Sequence, residues 1–327
     1  MIEKFNPLIE ELNKQIDEMS LPHQPAELYD PIKYIMNLGG KRMRPLLTIL
    51  GYKLFSDDIE KAMPAAVAVE LFHNFTLVHD DIMDEAPLRR GKPTVHSKWN
   101  QNVGILSGDV MLVKVYDQFL ELDIDPLKLK SILGKFNVCA AEVCEGQQED
   151  MNFETSDNVS ESEYLEMIRK KTSVLLGFAL EVGAEIAGAT EVVCRQIRDF
   201  GINLGIGFQL QDDLMDVYAD QEKFGKQVGG DIIANKKTML LIEALKRAEG
   251  EDKKELEKWL NAEKFDNEEK VKAVTDLYNR LGVKDAIEER MNDYFSKAFN
   301  NLDHFPVAES KKDKIRLLAD ALIKRES

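Results

Sequence analysis

Apolar residues recur at intervals of three and four along most of the chain. In the middle of the sequence, for example, they fall at Tyr164, Ile168, Leu175, Phe178 and Val182. This spacing matches the 3.6-residue period of an α-helix and gathers the apolar side chains on one face. Nine of the ten prolines precede residue 127 and the tenth is Pro306, so the long middle of the chain lacks the strongest helix breaker. The pattern predicts a chain built from long α-helices.

Three segments are apolar on nearly every side or rich in small residues. AAVAVELFHNFTLV (65–78) is typical of a helix buried inside a bundle. GFALEVGAEIAGA (177–189) and DFGINLGIGFQLQ (199–211) carry glycine and alanine at spacings that allow close helix approach. No Asn-Gly or Asp-Gly turn separates alternating strands, and the polar segment 154–163 is expected to be a loop. We therefore expect an all-α fold, with one helical-bundle domain over residues 1–327.

Composition and charge narrow the class of protein. The 327 residues are 44% hydrophobic and 31% charged, which is typical of a globular protein. The net charge of -16 disfavours a general nucleic-acid binder or a basic membrane-surface protein. The N-terminus has no signal-peptide core, and no apolar run is long enough to span a bilayer. The three cysteines, Cys139, Cys144 and Cys194, form no CxxC pair and favour reduced thiols in a soluble cytoplasmic protein.

Aspartates are crowded at the ends of two apolar segments. FTLVHDDIMD carries Asp80, Asp81 and Asp84, and FQLQDDLMD carries Asp212, Asp213 and Asp216. In each motif the first and last aspartates are four residues apart and share a helix face. We expect the two helices to direct these carboxylates toward one cleft, with Asp81 and Asp213 at its edges.

Crowded carboxylates repel one another unless a cation joins them. Magnesium commonly joins one or two carboxylates to the phosphate oxygens of a substrate. Either motif alone could be a solvated helix end. Together they predict a site with two or three magnesium ions around a diphosphate.

Lysines and arginines form four clusters in this acidic chain, GGKRMRP, LRRGKP, RKKT and GKQVGGDIIANKKT. Arginine binds phosphate oxygens at two points, and lysine binds them as a point charge. The glycines next to Lys41 and Lys226 allow the backbone to approach an anion closely. Each cluster alone could be a solvated surface patch. Together they indicate two anion sites, one that binds through metal and one that binds through side chains alone.

Taken in order, these motifs resemble those of the trans-isoprenyl diphosphate synthases, also called polyprenyl synthetases. The resemblance is carried by GGKRMRP, ELFHNFTLVHDDIMDEAPLRRGKPTVH, the pair Lys171-Thr172, FQLQDDLMD and GKQVGGDIIANKKT, which span residues 39–238. It implies a helical bundle around a deep central cavity, usually as a homodimer. It also implies magnesium-assisted condensation of isopentenyl diphosphate with an allylic diphosphate to give a short-chain trans-prenyl diphosphate.

The resemblance also implies roles for individual residues. Magnesium and the allylic diphosphate would be bound by Asp80, Asp84 and Asp212, assisted by Asp81, Asp213 and Asp216. The same diphosphate would contact Arg89, Lys171, Lys226 and Lys236, with the oxygens of Thr172 and Gln209 along the developing carbocation. Isopentenyl diphosphate would be held without metal by Lys41, Arg44, His73 and Arg90. Asn235 departs from the family, because many members carry glycine at this position before the lysine.

Product length is predicted from the residues before the first aspartate motif. Phe75 lies five residues before Asp80, which is about 7.5 Å along a helix that rises ~1.5 Å per residue. In the family, an aromatic residue here accompanies short products, and a second one at the next position accompanies C15. Thr76 occupies that next position and leaves more room, while Phe72 would form a second stop one turn deeper. We expect geranylgeranyl diphosphate (C20), with farnesyl diphosphate (C15) as the alternative. The structural alternative is that Phe75 only packs against a neighbouring helix.

Two other functions share parts of this pattern. A terpene cyclase has the same fold and first aspartate motif, but usually lacks an intact second motif and the isopentenyl site. A non-catalytic subunit of a heteromeric prenyltransferase typically loses one aspartate motif. DDLMD and GGKRMRP are both intact here, which favours the synthase. His79 receives no catalytic role.

Overall fold

The computed structural model describes residues 2–156, 158–219 and 228–323, and within these ranges the chain is almost wholly helical. This confirms the predicted all-α class. The N-terminal part contains α1 (Asn6–Glu18), α2 (Ala26–Asn37), α3 (Met43–Lys53), α4 (Met63–Met83), α5 (Val95–Lys98), α6 (Gln101–Leu120) and α7 (Pro126–Thr155). It is followed by α8 (Glu161–Ile168), α9 (Val174–Ile186), α10 (Glu191–Tyr218), α11 (Gly230–Ile233), α12 (Met239–Arg247), α13 (Gly250–Leu260), α14 (Asn267–Arg280), α15 (Val283–Asp303) and α16 (Glu309–Ile323).

Three short elements depart from regular α-helix. Two 3-10 helices cover Ile2–Phe5 and Ile59–Ala62, and a π-helical turn covers Arg169–Ser173. The predicted loop at 154–163 is shorter than expected, because α7 continues to Thr155 and α8 begins at Glu161. The Ser160 side chain and Glu163 form a capping box that starts α8 at this point.

Among the described residues there is one short β-hairpin, in which β1 (Leu88–Arg89) pairs antiparallel with β2 (Lys92–Pro93). Arg90 and Gly91 form its turn with φ angles of 52° and 71°. Left-handed angles at both central residues are typical of the tight turns that connect adjacent strands. The sequence pattern did not predict this hairpin, because the turn is Arg-Gly and not Asn-Gly or Asp-Gly.

The chain divides into two compact units. Unit 1 comprises Met1–Asn137, Phe178–Ile197 and Pro306–Ile315. Unit 2 comprises Val138–Gly177, Arg198–Phe305 and Arg316–Ser327.

In unit 1, α4 is buried along most of its length, as its apolar sequence predicts. Pro64 lies in its first turn, where the missing N–H costs no helical hydrogen bond. Gly51 of α3 and Gly183 of α9 bring those two helices together, since a side chain at either position would overlap the backbone of the other helix. The structure thus confirms the predicted close approach of a glycine-bearing helix.

In unit 2, the C-terminal part of α10 lies in a core shared with α8 and the later helices. The buried side chains of this core include Tyr164, Ile168, Leu210, Leu214, Met239, Leu240 and Leu277. Gly177 and Gly201 again allow close packing, because a Cβ atom on Gly201 would lie 2.7 Å from the Cα of Gly177.

Within the parts of the chain that the structure describes, none of the helices is both long enough and apolar enough to traverse a lipid bilayer.

Candidate active site

The first aspartate motif lies on the last turn of α4. The backbone N–H of Asp84 donates to the carbonyl of Asp80 at 2.9 Å. Because this is the helical bond between residues four apart, the two aspartates share one face. Asp80 is half-buried and Asp84 is exposed. The first and last carboxylates of the motif therefore remain accessible.

A defined helix ending follows the motif. Glu85 adopts a left-handed conformation with φ 49°. The N–H groups of Glu85 and Ala86 donate to the carbonyls of Ile82 and Asp81 at 3.3 and 3.0 Å. This pair of bonds is a Schellman ending, which satisfies carbonyls that the helix end would otherwise leave unpaired. It fixes where α4 stops and where the chain turns toward the hairpin.

The middle aspartate of this motif lies inside the protein, with Asp81 only 1% exposed. The Nε atom of Arg89 lies 2.9 and 2.8 Å from its two carboxylate oxygens, and Nη2 lies 2.7 Å from Oδ1. Burial opposes the charge on Arg89, but the hydrogen bonds and the attraction of Asp81 raise the pKa of Arg89 above its usual value. Asp81 is thus an internal counter-ion, whereas the sequence pattern placed it at the edge of a cleft.

Arg90 connects the hairpin to the GGKRMRP segment. Its Nη1 atom donates to the carbonyl oxygen of Gly39, and a side chain at Gly40 would overlap its guanidinium. Both glycines have positive φ angles, 78° and 132°, which side chains disfavour. The guanidinium of Arg90 is therefore held next to the backbone that leads to Lys41.

Arg44 and His73 are two of the residues predicted to bind isopentenyl diphosphate without metal, and their side chains contact each other. The Nη1 atom of Arg44 lies 3.2 Å from Nε2 of His73. Burial, and next the positive charge of Arg44, hold the pKa of His73 well below its usual value. A guanidinium only donates hydrogen bonds, so Nε2 accepts and the neutral ring carries its proton on Nδ1. The structure brings Arg44, His73 and Arg90 together in unit 1.

Sequence reasoning did not assign a role to Arg42, which stands between the two predicted anion-binding side chains. Arg42 has φ 48° and is 6% exposed. Its Nη1 atom lies 2.6 Å from Oε1 of Glu70 on α4, and its Nη2 atom donates to the carbonyl of Met36 at 2.6 Å. Arg42 therefore anchors the GGKRMRP segment internally. The sequence signal was Glu70, a charged residue inside the apolar run 65–72.

The second aspartate motif lines a cavity of about 240 Å³ in unit 2. Its polar lining consists of Asp150, Tyr164, Lys171, Thr172, Gln209, Asp212, Asp213, Asp216, Asp231 and Lys236. The seven predicted site residues of unit 2 that the structure describes therefore surround one cavity: Lys171, Thr172, Gln209, Asp212, Asp213, Asp216 and Lys236. Asp150, Tyr164 and Asp231 were not predicted, because nothing in their local sequence distinguishes them from ordinary helix and loop residues.

Asp213 is the buried middle aspartate of this motif, with 4% exposure. Tyr164 donates a hydrogen bond from its hydroxyl to Oδ2, and Nε2 of Gln209 donates to Oδ1 at 3.3 Å. Burial raises the pKa of Asp213 to about 7, the Tyr164 hydrogen bond opposes the rise, and the negative charge of Asp231 adds to it. Asp212 and Asp216 are only half-buried. The first and last carboxylates are again the accessible ones.

Lys171 and Thr172 lie in the π-helical turn, an irregularity that is frequent at functional sites. A side chain at Gly146 would overlap the backbone of Lys171, so this glycine allows α7 to contact the turn. The Nζ atom of Lys171 lies 2.6 Å from Oδ2 of Asp150, and Oγ1 of Thr172 lies 3.4 Å from Oε1 of Gln209. The turn thus brings both predicted residues to the wall of the cavity.

Asp216 holds the segment that follows the second motif. The N–H groups of Gly229 and Asp231 donate to the carbonyl and to Oδ2 of Asp216 at 2.6 and 3.0 Å. Lys236 lies further along this segment and lines the cavity. Lys226, predicted to contact the same diphosphate, lies outside the described residues.

The predicted chain-length residues lie in an aromatic cluster of unit 1. The rings of Phe72 and Phe75 are 5.6 Å apart, and Phe72 is 5.1 Å from Phe136. Phe75 also contacts the ring of His79 at 4.8 Å. Thr76 donates its hydroxyl hydrogen to the carbonyl of His73 at 2.7 Å. The ring of Phe75 therefore packs against the rings of both Phe72 and His79.

The donor set suits magnesium without forming a complete metal site. Among the described residues, no three His, Cys, Asp or Glu side chains converge on a position that could hold a metal ion. Magnesium needs oxygen ligands, and it usually takes one or two carboxylates and completes its shell with water and substrate phosphates. The half-buried or exposed Asp80, Asp84, Asp212 and Asp216 fit that requirement.

Comparison with known proteins gives a consistent family. The sequence matches the polyprenyl synthetase family over residues 25–278. A geranylgeranyl pyrophosphate synthase from Geoglobus acetivorans is 38% identical over 315 residues, which cover 96% of each chain. A geranylfarnesyl diphosphate synthase from Natronomonas pharaonis is 31% identical over 330 residues, covering 96% of this chain and 94% of the relative. A crystal structure of a geranylgeranyl pyrophosphate synthase has a TM-score of 0.92 and 44% identity, and the match covers 100% of this chain and 99% of the other.

The chain therefore belongs to the polyprenyl synthetase family. Its architecture is the isoprenoid synthase fold, and it is a trans-prenyltransferase. The relatives just described are named as synthases, which does not support the cyclase or the non-catalytic subunit as an alternative.

Proposed function

We propose that the enzyme condenses isopentenyl diphosphate with allylic diphosphates and releases geranylgeranyl diphosphate. The observation that carries the proposal is the common layout of the two aspartate motifs. In each, the protein holds a buried middle aspartate and leaves the first and last carboxylates accessible. The names of the relatives support the same reaction class, and farnesyl diphosphate is the alternative product.

Asp80, Asp84 and Asp212 are the carboxylates that we assign to magnesium, with two to three ions per active site. The chemistry that magnesium supplies when bound is neutralisation of negative charge on the departing diphosphate. Asp81, Asp213 and Asp216 are assigned supporting roles in this site. Asp81 and Asp213 are held inside the protein by hydrogen bonds, and Asp216 binds the segment that carries Lys236.

Cations of the protein stabilise the same leaving group. Lys171 and Lys236 line the cavity of unit 2, and we assign both to the allylic diphosphate together with Arg89 and Lys226. As the allylic carbon–oxygen bond breaks, its electron pair passes to the diphosphate, and fixed positive charge stabilises the anion that forms. The oxygens of Thr172 and Gln209 are assigned to the carbocation that remains.

The diphosphate of isopentenyl diphosphate is assigned to Lys41, Arg44, Arg90 and neutral His73. The double bond of this substrate attacks the allylic carbocation and forms the new carbon–carbon bond. A proton then leaves for the released diphosphate, which restores a double bond in the product. No protein nucleophile is needed.

Steady-state kinetics with two variants test the division into two anion sites. Arg44→Ala should raise KM for isopentenyl diphosphate about tenfold, because each lost charge-assisted contact is worth roughly 1.5–3 kcal/mol, and should leave KM for the allylic primer nearly unchanged. Lys236→Ala should show the opposite bias. Lys236 is a cleaner probe than Arg89, whose removal would also disturb Asp81. Equal effects on both substrates in both variants would refute the division.

Phe75→Ala tests the assignment of product length. If Phe75 limits chain growth, its removal opens space beyond a close-packed wall, and the product distribution should shift to longer chains. Phe305→Ala, which removes another buried ring that packs on Phe200, is the control for general loss of core packing. An unchanged product length in Phe75→Ala would show that Phe75 does not limit growth.

One incubation separates the proposed reaction from the two alternatives. The protein is mixed with isopentenyl diphosphate, an allylic primer and magnesium, and the products are separated by chromatography. A linear prenyl diphosphate supports the synthase, a cyclic hydrocarbon supports the cyclase, and the absence of product supports the non-catalytic subunit. The chromatographic retention of the main product distinguishes C20 from C15.

A homodimer is the proposed assembly, and one helix of unit 1 supports it. Leu106, Val113 and Leu120 recur every seven residues on α6 and are 57%, 60% and 62% exposed. Large apolar side chains aligned on one exposed face are typical of a surface that binds another protein. Sedimentation of Val113→Glu beside the wild type tests this, since a charge in the interface should shift the protein to the monomer.

We also infer one polyprenyl synthetase domain and a cytoplasmic location. The family match runs without interruption through sequence from both units, which supports a single domain. All three cysteines are free, and free thiols are typical of a reducing compartment.

A further inference from the structure

A buried lysine outside all of the sequence motifs lies close to the cavity of unit 2. Lys270 is in the first turn of α14 and is only 1% exposed. Its Nζ atom donates to Oδ1 of Asn235 at 2.7 Å and to the carbonyl of Ile233 at 3.3 Å. It also lies 4.0 Å from the centre of the Phe265 ring. Among the described residues no carboxylate forms an ion pair with Lys270, although lysine is rarely buried without one.

The residue that Lys270 contacts has an unusual backbone. Asn235 has φ 52°, in the left-handed region that only glycine adopts without cost. Its side-chain nitrogen donates to the carbonyl of Leu260 at 3.0 Å, while Lys270 binds its side-chain oxygen. Both ends of the amide are therefore used to hold this conformation. The contacts explain how the chain accommodates asparagine in a left-handed conformation.

The conformation of Asn235 sets the direction of the next residue, Lys236. The N–H of Lys236 donates to the carbonyl of Asp231 at 2.9 Å, and its carbonyl accepts from Thr238 at 2.8 Å. Asp231 is held in turn by Asp216. The segment is thus fixed at one end by the second aspartate motif and at the other by Lys270.

We propose that Lys270 is a positioning residue for diphosphate binding: it holds Asn235 in its left-handed conformation and thereby places Lys236 at the cavity wall. This proposal rests on the proposed function, which assigns Lys236 to the allylic diphosphate. Lys270 does not line the cavity of about 240 Å³, but it lines a smaller pocket together with Asn235 and Lys236. Its buried positive charge also has a structural role, so the test must separate binding from stability.

A double-mutant cycle with inorganic diphosphate and magnesium makes that separation. Lys236→Met should weaken binding, measured by calorimetry, by about ten- to a hundredfold, the range for loss of one charged hydrogen bond. Lys270→Met should weaken it by a smaller factor, about three- to tenfold, because Lys236 is displaced and not removed. In the double variant the second substitution should add nothing, since both act through one side chain. Equal binding by Lys270→Met and the wild type, or full additivity in the double variant, would overturn the proposal.

Two control variants lie on the same helix. Val274→Ala removes buried apolar volume and should lower stability without changing the affinity for diphosphate. Lys272→Met removes an exposed lysine and should change neither quantity. If Val274→Ala weakens binding as much as Lys270→Met does, the effect of Lys270 is only structural and the proposal fails.

Variants of Asn235 keep the proposal testable if Lys270→Met does not fold. Asn235→Gly and Asn235→Ala both deprive Lys270 of its side-chain acceptor, but only glycine readily keeps the left-handed backbone. Asn235→Ala should therefore bind diphosphate more weakly than Asn235→Gly, and equal affinities would overturn the proposal. Failure of the wild type to bind diphosphate at all would instead refute the proposed function.

Discussion

The two aspartate motifs share a sequence pattern but differ in how the protein holds the middle carboxylate. Asp81 in unit 1 is paired with a cation, the guanidinium of Arg89, at 2.7 Å. Asp213 in unit 2 is held by neutral donors, the hydroxyl of Tyr164 and the amide of Gln209. Both carboxylates are buried, at 1% and 4% exposure. The same DDxxD spacing is thus compatible with an ion pair in one unit and a neutral hydrogen-bond network in the other.

The difference has an electrostatic consequence. A buried carboxylate is costly to ionise unless positive charge or hydrogen bonds compensate. Neutral donors compensate only partly, and burial raises the pKa of Asp213 to about 7. We infer that the second motif gains or loses a proton near neutral pH when it is free of metal. The following predictions test the comparison, beginning with the carboxylates that both motifs leave accessible.

Removal of an accessible carboxylate should have the largest effect. Asp84→Ala should lower kcat by ~10²–10³, the usual cost of removing a group that acts as charge develops. Thermal stability should change little, because Asp84 is exposed. Steady-state kinetics and a melting curve measure the two quantities, with Asp123→Ala as a control for an exposed aspartate in another loop. Near wild-type turnover in Asp84→Ala would contradict its role in binding magnesium.

Neutralisation of the middle aspartates should affect stability differently in the two motifs. Asp81→Asn leaves Arg89 without its counter-ion and should lower the free energy of unfolding by about 2–3 kcal/mol, somewhat less than for a fully buried pair. Asp213→Asn should leave stability unchanged or raise it at pH 8 without metal, because it removes a poorly compensated buried charge. Urea unfolding of both variants in a chelator measures this. Equal losses would show that the two motifs do not differ as described.

The stability of the metal-free protein should depend on pH through Asp213. Its folded pKa is about 7, above the usual 3.8, so the folded state holds a proton that the unfolded state has released. Stability should therefore fall as pH rises between about 4 and 7, by at most about 1.4 kcal/mol per pH unit. The difference between the wild type and Asp213→Asn isolates this effect from His73, whose lowered pKa acts in the opposite direction. A difference that does not vary with pH would contradict the buried, weakly compensated carboxylate.

The smallest effect is expected from one hydroxyl group. Tyr164→Phe removes a single hydrogen bond to Asp213 and should cost about 1 kcal/mol of stability. It should also extend the pH range over which stability falls to higher pH, because the Tyr164 hydrogen bond lowers the pKa of Asp213. Tyr278→Phe, at another buried tyrosine of the same core, is the control. An unchanged pH range in Tyr164→Phe would show that the Tyr164 hydrogen bond does not lower the pKa of Asp213.

Features that depend on local spacing could be predicted from the sequence. The apolar run at 65–78 predicted the buried helix α4, because period and composition are properties of a short segment. The spacing of Asp80 and Asp84 predicted a shared face, since four residues make about one helical turn. The Arg90-Gly91 hairpin was missed, because its turn lacks the residue pair that usually marks such turns.

The sequence by itself determined the helical class, the family and which ionisable side chains lie at the two motifs. Only the tertiary structure decided which groups meet. Asp213 is 49 residues from Tyr164, and Lys270 is 35 residues from Asn235, and separation along the chain does not fix distance in space. Burial is likewise a property of the packed core. For this reason the internal position of Asp81 and the raised pKa of Asp213 follow from the fold, because each depends on neighbours and solvent exclusion that no local pattern encodes.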